Sequence, residues 1–176
     1  MEFDVVDTTD PKLVQTVTDL ETRGKSIVLS YCAMSNGLNQ MVDDIMRRSE
    51  FGKVKVLRIW AHGTPSVIGI SSGTDPRLIR VHLTGISPGA LSSPYHRLAD
   101  LKPYFAQNAR IELRGCQVGA GSDAEKIMRQ IADMLNVDVH APVDDQAITG
   151  LDWYGPVMIA KPGRTDVIRG SGEAVK

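Results

Sequence analysis

Residues 54–63 read Val-Lys-Val-Leu-Arg-Ile-Trp-Ala-His-Gly, and residues 110–116 read Arg-Ile-Glu-Leu-Arg-Gly-Cys. Each is an apolar-rich run of strand length that stops abruptly at a glycine beside a residue able to do chemistry, which predicts strands over Val54–Ala61 and Arg110–Arg114. Working outward, Phe3–Val6 and Ser26–Tyr31 read as earlier strands, and Val137–Ala141 and Val157–Ala160 as later ones. Helical spacing fills the gaps between them. Asp10-Pro11 opens a helix carrying Leu13, Val14, Val17 and Leu20, and Gly24 closes it. Gly37–Arg48 places Leu38, Met41, Val42, Ile45 and Met46 on one face, and Tyr95–Gln107 reads as a helix kinked at Pro103. Ser122-Asp123-Ala124-Glu125 is a capping-box sequence ahead of Ile127, Ile131, Met134 and Leu135. Strands alternating with helices predict an α/β fold with a mainly parallel sheet covered on both faces. Ligands of such sheets bind outside the carboxyl ends of the strands, where His62 and Cys116 both fall.

The composition narrows the function. Hydrophobic residues make up 42% and charged residues 23% of the 176-residue chain, which excludes collagen-like, disordered and membrane-spanning classes. A chain of this size buries about 70% of its unfolded surface and needs no staples. Its net charge of −1 lacks the basic field of a nucleic-acid or membrane-surface binder, so neither is expected as a partner. Two cysteines, Cys32 and Cys116, are too few for a disulfide framework. The start carries neither the basic nor the apolar segment of a signal peptide, and no apolar run approaches the ~18 residues of a membrane helix. The expected compartment is therefore the cytoplasm, although a secreted effector without a signal, or an excised domain, would look the same. One domain is expected over residues 1–169, with a polar tail at 170–176 that frays. The segments Val67–Ile70 and Leu78–Leu83 suggest a hairpin or irregular insertion, and the Gly/Ser/Pro-rich Ser71–Thr74 and Ser87–Pro94 read as loops.

A thiol reacts as thiolate, and an imidazole nearby can take its proton. Cys116 and His62 suit these roles, and the backbone N–H groups of Gly63 and Cys116 suit an oxyanion hole. Cys32 has no such setting and reads as structural or incidental. His82, His96 and His140 form no metal-ligand spacing and read as surface or core residues; no metal site is expected. The methionines at 34, 41, 46, 128 and 134 fall on apolar helical faces and read as packing.

The stretch Leu57–Gly63, an apolar strand running into His-Gly, resembles one motif of the caspase-like cysteine peptidases. Ile111–Gly119, an apolar strand running into Gly-Cys-Gln-Val-Gly, resembles the other, in the form Gly-Cys-x-Val-(Gly/Ala)-x-Gly of a bacterial branch. The separation of 54 positions from His62 to Cys116 compares with about 50 in caspases. The resemblance covers roughly Phe3–Ala141. It implies a three-layer sandwich with a six-stranded sheet in the order 2-1-3-4-5-6, with the histidine after strand three and the cysteine after strand four. It implies peptide-bond hydrolysis through an acyl-enzyme on a polypeptide substrate, with no metal or organic cofactor. It also implies substrate-binding roles near the dyad. Arg114, on the strand side of Cys116, would attract an acidic side chain, whereas Asp7, Asp144 and Asp145 would favour a basic one. The motif departs from the eukaryotic Gln-Ala-Cys by reading Arg114-Gly115-Cys116. Two other readings stand beside this one: an inactive member of the fold serving as a protein-binding scaffold, and a flavodoxin-like binder of a small phosphorylated ligand at the Gly119–Ser122 turn.

Overall fold

The computed structural model describes residues 1–32, 37–65, 67–69, 86, 91, 97–121, 123–146, 151–152 and 155–171. Its strands are β1 (Glu2–Asp7), β2 (Ile27–Tyr31), β3 (Val54–Trp60), β4 (Gly63–Thr64), β5 (Val67–Ile68), β6 (Phe105–Arg114), β7 (Asp138–Pro142), β8 (Pro156–Ala160) and β9 (Val167–Ser171). Its α-helices are α1 (Val14–Arg23), α2 (Gly37–Arg48) and α3 (Ala124–Leu135). Seven strands form one sheet in the order β2-β1-β3-β6-β7-β8-β9. Pairing is parallel from β2 through β7 and antiparallel at β7–β8 and β8–β9.

Alternation decides the layers. On one face Phe3, Val5, Leu57, Ile59, Ile111, Leu113, Val139 and Ala141 are fully buried, and α2 and α3 cover them with Leu38, Met41, Val42, Ile45, Ile127, Met128, Ile131 and Leu135. On the other face Val6 and Trp60 pack against Leu13 and Leu20 at and within α1. A buried Leu or Ile contributes about 1.5–3 kcal/mol, so most of the stability lies in the first of these interfaces. The α/β sandwich with helices on both faces is thus set by which alternate residues are apolar. Asp10 and Gly24 behave as read: the Asp10 side chain accepts from Lys12 N–H before a 3-10 turn at Pro11–Leu13, and Gly24 ends α1 at φ 62°. Val14, assigned to the apolar face, is instead half exposed.

Several expectations are corrected. The sheet has seven strands, not six, and Gly170 and Ser171 belong to β9, opposite Val157 and Pro156, rather than to a frayed tail. Val167-Ile168 is too short an apolar pair to announce a strand. The turn before it is held by α3, where Asp133 Oδ1 accepts from Gly163 N–H at 2.7 Å and Arg129 donates to the Thr165 carbonyl at 2.7 Å. The helix expected over Tyr95–Gln107 is a 3-10 helix at Leu98–Tyr104, and β6 starts at once at Phe105. Asn108, at φ 58°, lies in the stretch where the pairing slips from Val54–Phe105 to Val56–Arg110, an irregularity that apolar spacing does not reveal. At the start of α3 the N-cap is Asp123, which makes no side-chain cap bond. Ser122, Met34, His82, His96 and the segments 71–74, 78–83 and 87–90 lie outside the described residues, as do 92–94. No helix of the described residues is long and apolar enough to cross a membrane.

Candidate active site

The sheet reverses its winding at β1, which lies between β2 and β3. The carboxyl ends of β1, β3 and β6 therefore stand side by side, and the connections leaving them carry Asp10, His62-Gly63 and Gly115-Cys116. Trp60 and Arg114 are register partners at the ends of β3 and β6, so His62 and Cys116, each two residues further on, leave the sheet at the same level.

The two turns interlock through their glycines. A β-carbon on Gly63 would stand 2.5 Å from the Cys116 carbonyl oxygen and 2.7 Å from the Cys116 nitrogen. One on Gly115 would stand 3.0 Å from both the Ala61 oxygen and the Gly63 α-carbon. These are backbone atoms that cannot swing aside, so both positions exclude every other residue without displacement. The glycines beside the histidine and the cysteine therefore have one shared cause: they let the backbones carrying the two side chains touch.

The loop after Cys116 is pinned to the β7–β8 connection. Gln117, at φ 55°, donates its N–H to the Asp144 carbonyl at 3.1 Å, and Gly119 N–H donates to the Pro142 carbonyl at 2.8 Å. Cys116 is half-buried. Its sulfur accepts from Gln146 N–H at 3.4 Å and its thiol faces the Gln146 carbonyl at 3.7 Å. His62 exposes 72% of its side chain, and its Nε2 lies 2.8 Å from Asp10 Oδ2, whose carboxylate is only 10% exposed. The spacing is that of an ion pair, but the ring is not in line for a hydrogen bond, and Oδ2 has no other partner. The structure thus brings the backbones of His62, Gly63, Gly115 and Cys116 together, while the imidazole lies against Asp10 and the sulfur against Gln146.

The remaining site residues divide. Asp144 and Asp145 are exposed on the loop against Cys116. Asp145 Oδ1 accepts from the Gln117 side-chain amide at 3.0 Å, and Asp144 Oδ2 lies over Gly155, where a β-carbon would meet it at 2.6 Å. Asp7 is buried, and its Oδ1 accepts from Thr9 N–H at 2.9 Å, which shapes the turn toward Asp10. Arg114, expected to attract an acidic substrate side chain, is engaged within the protein. Its side chain is 9% exposed, bonded to Glu112 and the Leu151 carbonyl, and stacked 5.0 Å over the Trp60 ring. Alternation puts Arg114 on the sheet face that carries Trp60, and that face is covered by α1 and Leu151.

Arg114 belongs to a buried charge layer. Asp4, Arg58, Glu112 and His140 are successive register partners across β1, β3, β6 and β7. Arg58, Arg110 and Arg114 all reach Glu112. Burial pushes the Glu112 carboxyl up, but the Arg114 and Arg58 guanidiniums outweigh this and hold it below the usual carboxylate range. Burial pulls Arg114 down, against Glu112, which raises it. Burial also lowers His140 from 6.5 to about 4. This layer spans β1, β3, β6 and β7 four residues before His62 and Cys116, and Arg114 extends it to the end of β6.

Other readings can now be placed. Cys32 is exposed at the end of the edge strand β2, with β1 and β3 between it and β6. Met41 and Met128 are core residues, and Met46 and Met134 pack on the core. Among the described residues no group of three His, Cys, Asp or Glu is placed to hold a metal. At the Gly119 turn, the N–H groups of Gly119 and Ala120 are both spent on internal carbonyls, which removes two donors a phosphate would need. Along the chain Asp10 reads only as a helix cap; the structure places it after β1 at the reversal of winding, beside His62. The Gln146 contact is made by backbone and has no side-chain signature.

Comparison with known proteins adds one finding. The family model described as "Domain of unknown function (DUF4347)" matches residues 5–155. No curated protein and no solved structure matches the chain.

Proposed function

The chain belongs to the DUF4347 family, whose description assigns no activity, and we propose from the site itself that it is a caspase-like cysteine peptidase. The observation that carries the reading is the interlock of His62-Gly63 with Gly115-Cys116 at the carboxyl ends of adjacent parallel strands. The strand order β2-β1-β3-β6-β7-β8 supports it, because the family resemblance implies the same succession.

In this mechanism His62 takes the Cys116 proton and the sulfur attacks the scissile carbonyl carbon. The carbonyl oxygen becomes an oxyanion facing the Gly63 and Cys116 N–H groups. Collapse breaks the C–N bond, and the leaving amine takes the proton from the imidazolium. Water then hydrolyses the thioester and regenerates the thiol. Cys116 is the nucleophile and His62 the proton carrier. Asp144 and Asp145 border the cleft as candidates for binding a basic substrate side chain.

The test is competitive labelling of both thiols by a peptide acyloxymethyl ketone, with the modified site mapped by mass spectrometry. The expected result is labelling at Cys116 over Cys32 that His62→Ala strongly reduces. Equal or absent labelling in folded protein overturns the peptidase reading. It would favour the inactive scaffold, for which the engagement of the sulfur by the Gln146 backbone is the supporting observation.

A further inference from the structure

The Asp10 carboxylate uses its two oxygens differently. Oδ1 accepts from Lys12 N–H at 3.0 Å and starts the 3-10 turn. Oδ2 is buried and lacks a hydrogen-bonded partner, and His62 Nε2 stands 2.8 Å from it. A buried carboxylate oxygen requires a donor. A neutral imidazole has one N–H, and the nitrogen that carries it is chosen by the acceptor it faces. His62 exposes 72% of its side chain, which leaves the ring room to turn, and an Nε2–H at that spacing has Oδ2 as its acceptor. The other nitrogen, Nδ1, is then left with a lone pair.

We propose that Asp10 is a positioning residue for His62. It holds the ring in the Nε2–H tautomer, so that Nδ1 is the nitrogen that takes the Cys116 proton. This rests on the reading of His62 as the proton carrier. Asp10 follows β1 and His62 follows β3, so the contact spans the point where the sheet reverses its winding and ties the orientation of the ring to the fold. The ring is mostly exposed, and water competes for it. The loss on removing Asp10 is therefore expected to be about ten- to a hundredfold in Cys116 alkylation rate, below the ~10⁴ associated with a fully enclosed triad aspartate.

The experiment compares wild type, Asp10→Ser and His62→Ala. Serine keeps the oxygen that caps Lys12 N–H but is too short to reach the ring, so the start of α1 is preserved. Long-range proton–nitrogen correlation of the histidine side chains, at a pH where the ring is neutral, reads the tautomer. Iodoacetamide alkylation with site mapping reads Cys116. The proposal expects the Nε2–H form in wild type, loss of that preference in Asp10→Ser, and slowed alkylation in both variants. If His62→Ala slows alkylation while Asp10→Ser changes neither tautomer nor rate, the Asp10 proposal alone is overturned. If His62→Ala leaves alkylation unchanged, the peptidase reading fails first and takes the positioning role with it.

Discussion

Acidification tests the buried charge layer most directly. His140 lies on β7 beside Glu112, with Arg110, Asp138 and Lys161 as its other charged neighbours. Burial holds its folded pKa near 4, whereas an unfolded histidine titrates near 6.5. Between those values the unfolded chain binds a proton that the folded protein does not, so stability falls as pH falls. The contribution is fully present above about pH 6.5 and is lost as pH drops through about 4. A gap of about 2.5 units, at about 1.4 kcal/mol each, makes the loss roughly 3 kcal/mol. Glu112 is also held low, but its contribution disappears only as pH falls below the usual carboxylate range, so its effect comes mainly after that of His140. Urea unfolding at a series of pH values from 7 to 4 is the assay. With a slope of about 1–3 kcal/mol per molar, the wild-type midpoint should fall by about 1 M or more. His140→Leu removes the titrating ring and its unpartnered Nδ1, and its midpoint should stay nearly level from pH 6.5 to 4.5. Parallel curves for the two proteins, or a folded-state His140 that titrates near 6.5 by NMR, would refute the reasoning.

Other outcomes follow from the same geometry. Gly63→Ala forces a methyl into the Cys116 backbone and should cost about 1–3 kcal/mol. Gly69→Ala in the same hairpin, where the nearest atom is 3.9 Å away, should cost far less; equal urea midpoints for the two would contradict the interlock. Glu112→Gln leaves Arg58, Arg110 and Arg114 without their shared carboxylate and should destabilise by about 3–5 kcal/mol. A loss under about 1 kcal/mol would show that the layer is not a paired network. Asp133→Ala removes the acceptor for Gly163 N–H and should speed amide exchange in β9 while leaving β7 protected. Uniform exchange in the two strands would mean that α3 does not hold the last hairpin.

The α/β class was legible because periodicity of two and of 3.6 reports local burial, and the apolar rows Phe3–Val5, Leu57–Ile59 and Ile111–Leu113 repeat it across three strands. The placement of His62 and Cys116 at one edge of the sheet was legible for a related reason. Each ends an apolar run beside a glycine, and in a parallel sheet such strand ends converge on one edge. Tertiary packing decided everything that depends on what lies opposite. Arg114 looked like a free cation, yet Glu112 and Trp60 surround it; alternation tells which side a residue takes, not whether that side is covered. β9 follows a turn that α3 bonds through Asp133 and Arg129, and its own residues carry little strand signal. Asp10 reads along the chain as a helix cap, and only the placement of β1 beside β3 brings its second oxygen to His62. Local preferences are written in neighbouring residues, whereas a contact across strands separated by some fifty positions takes shape only when the sheet closes.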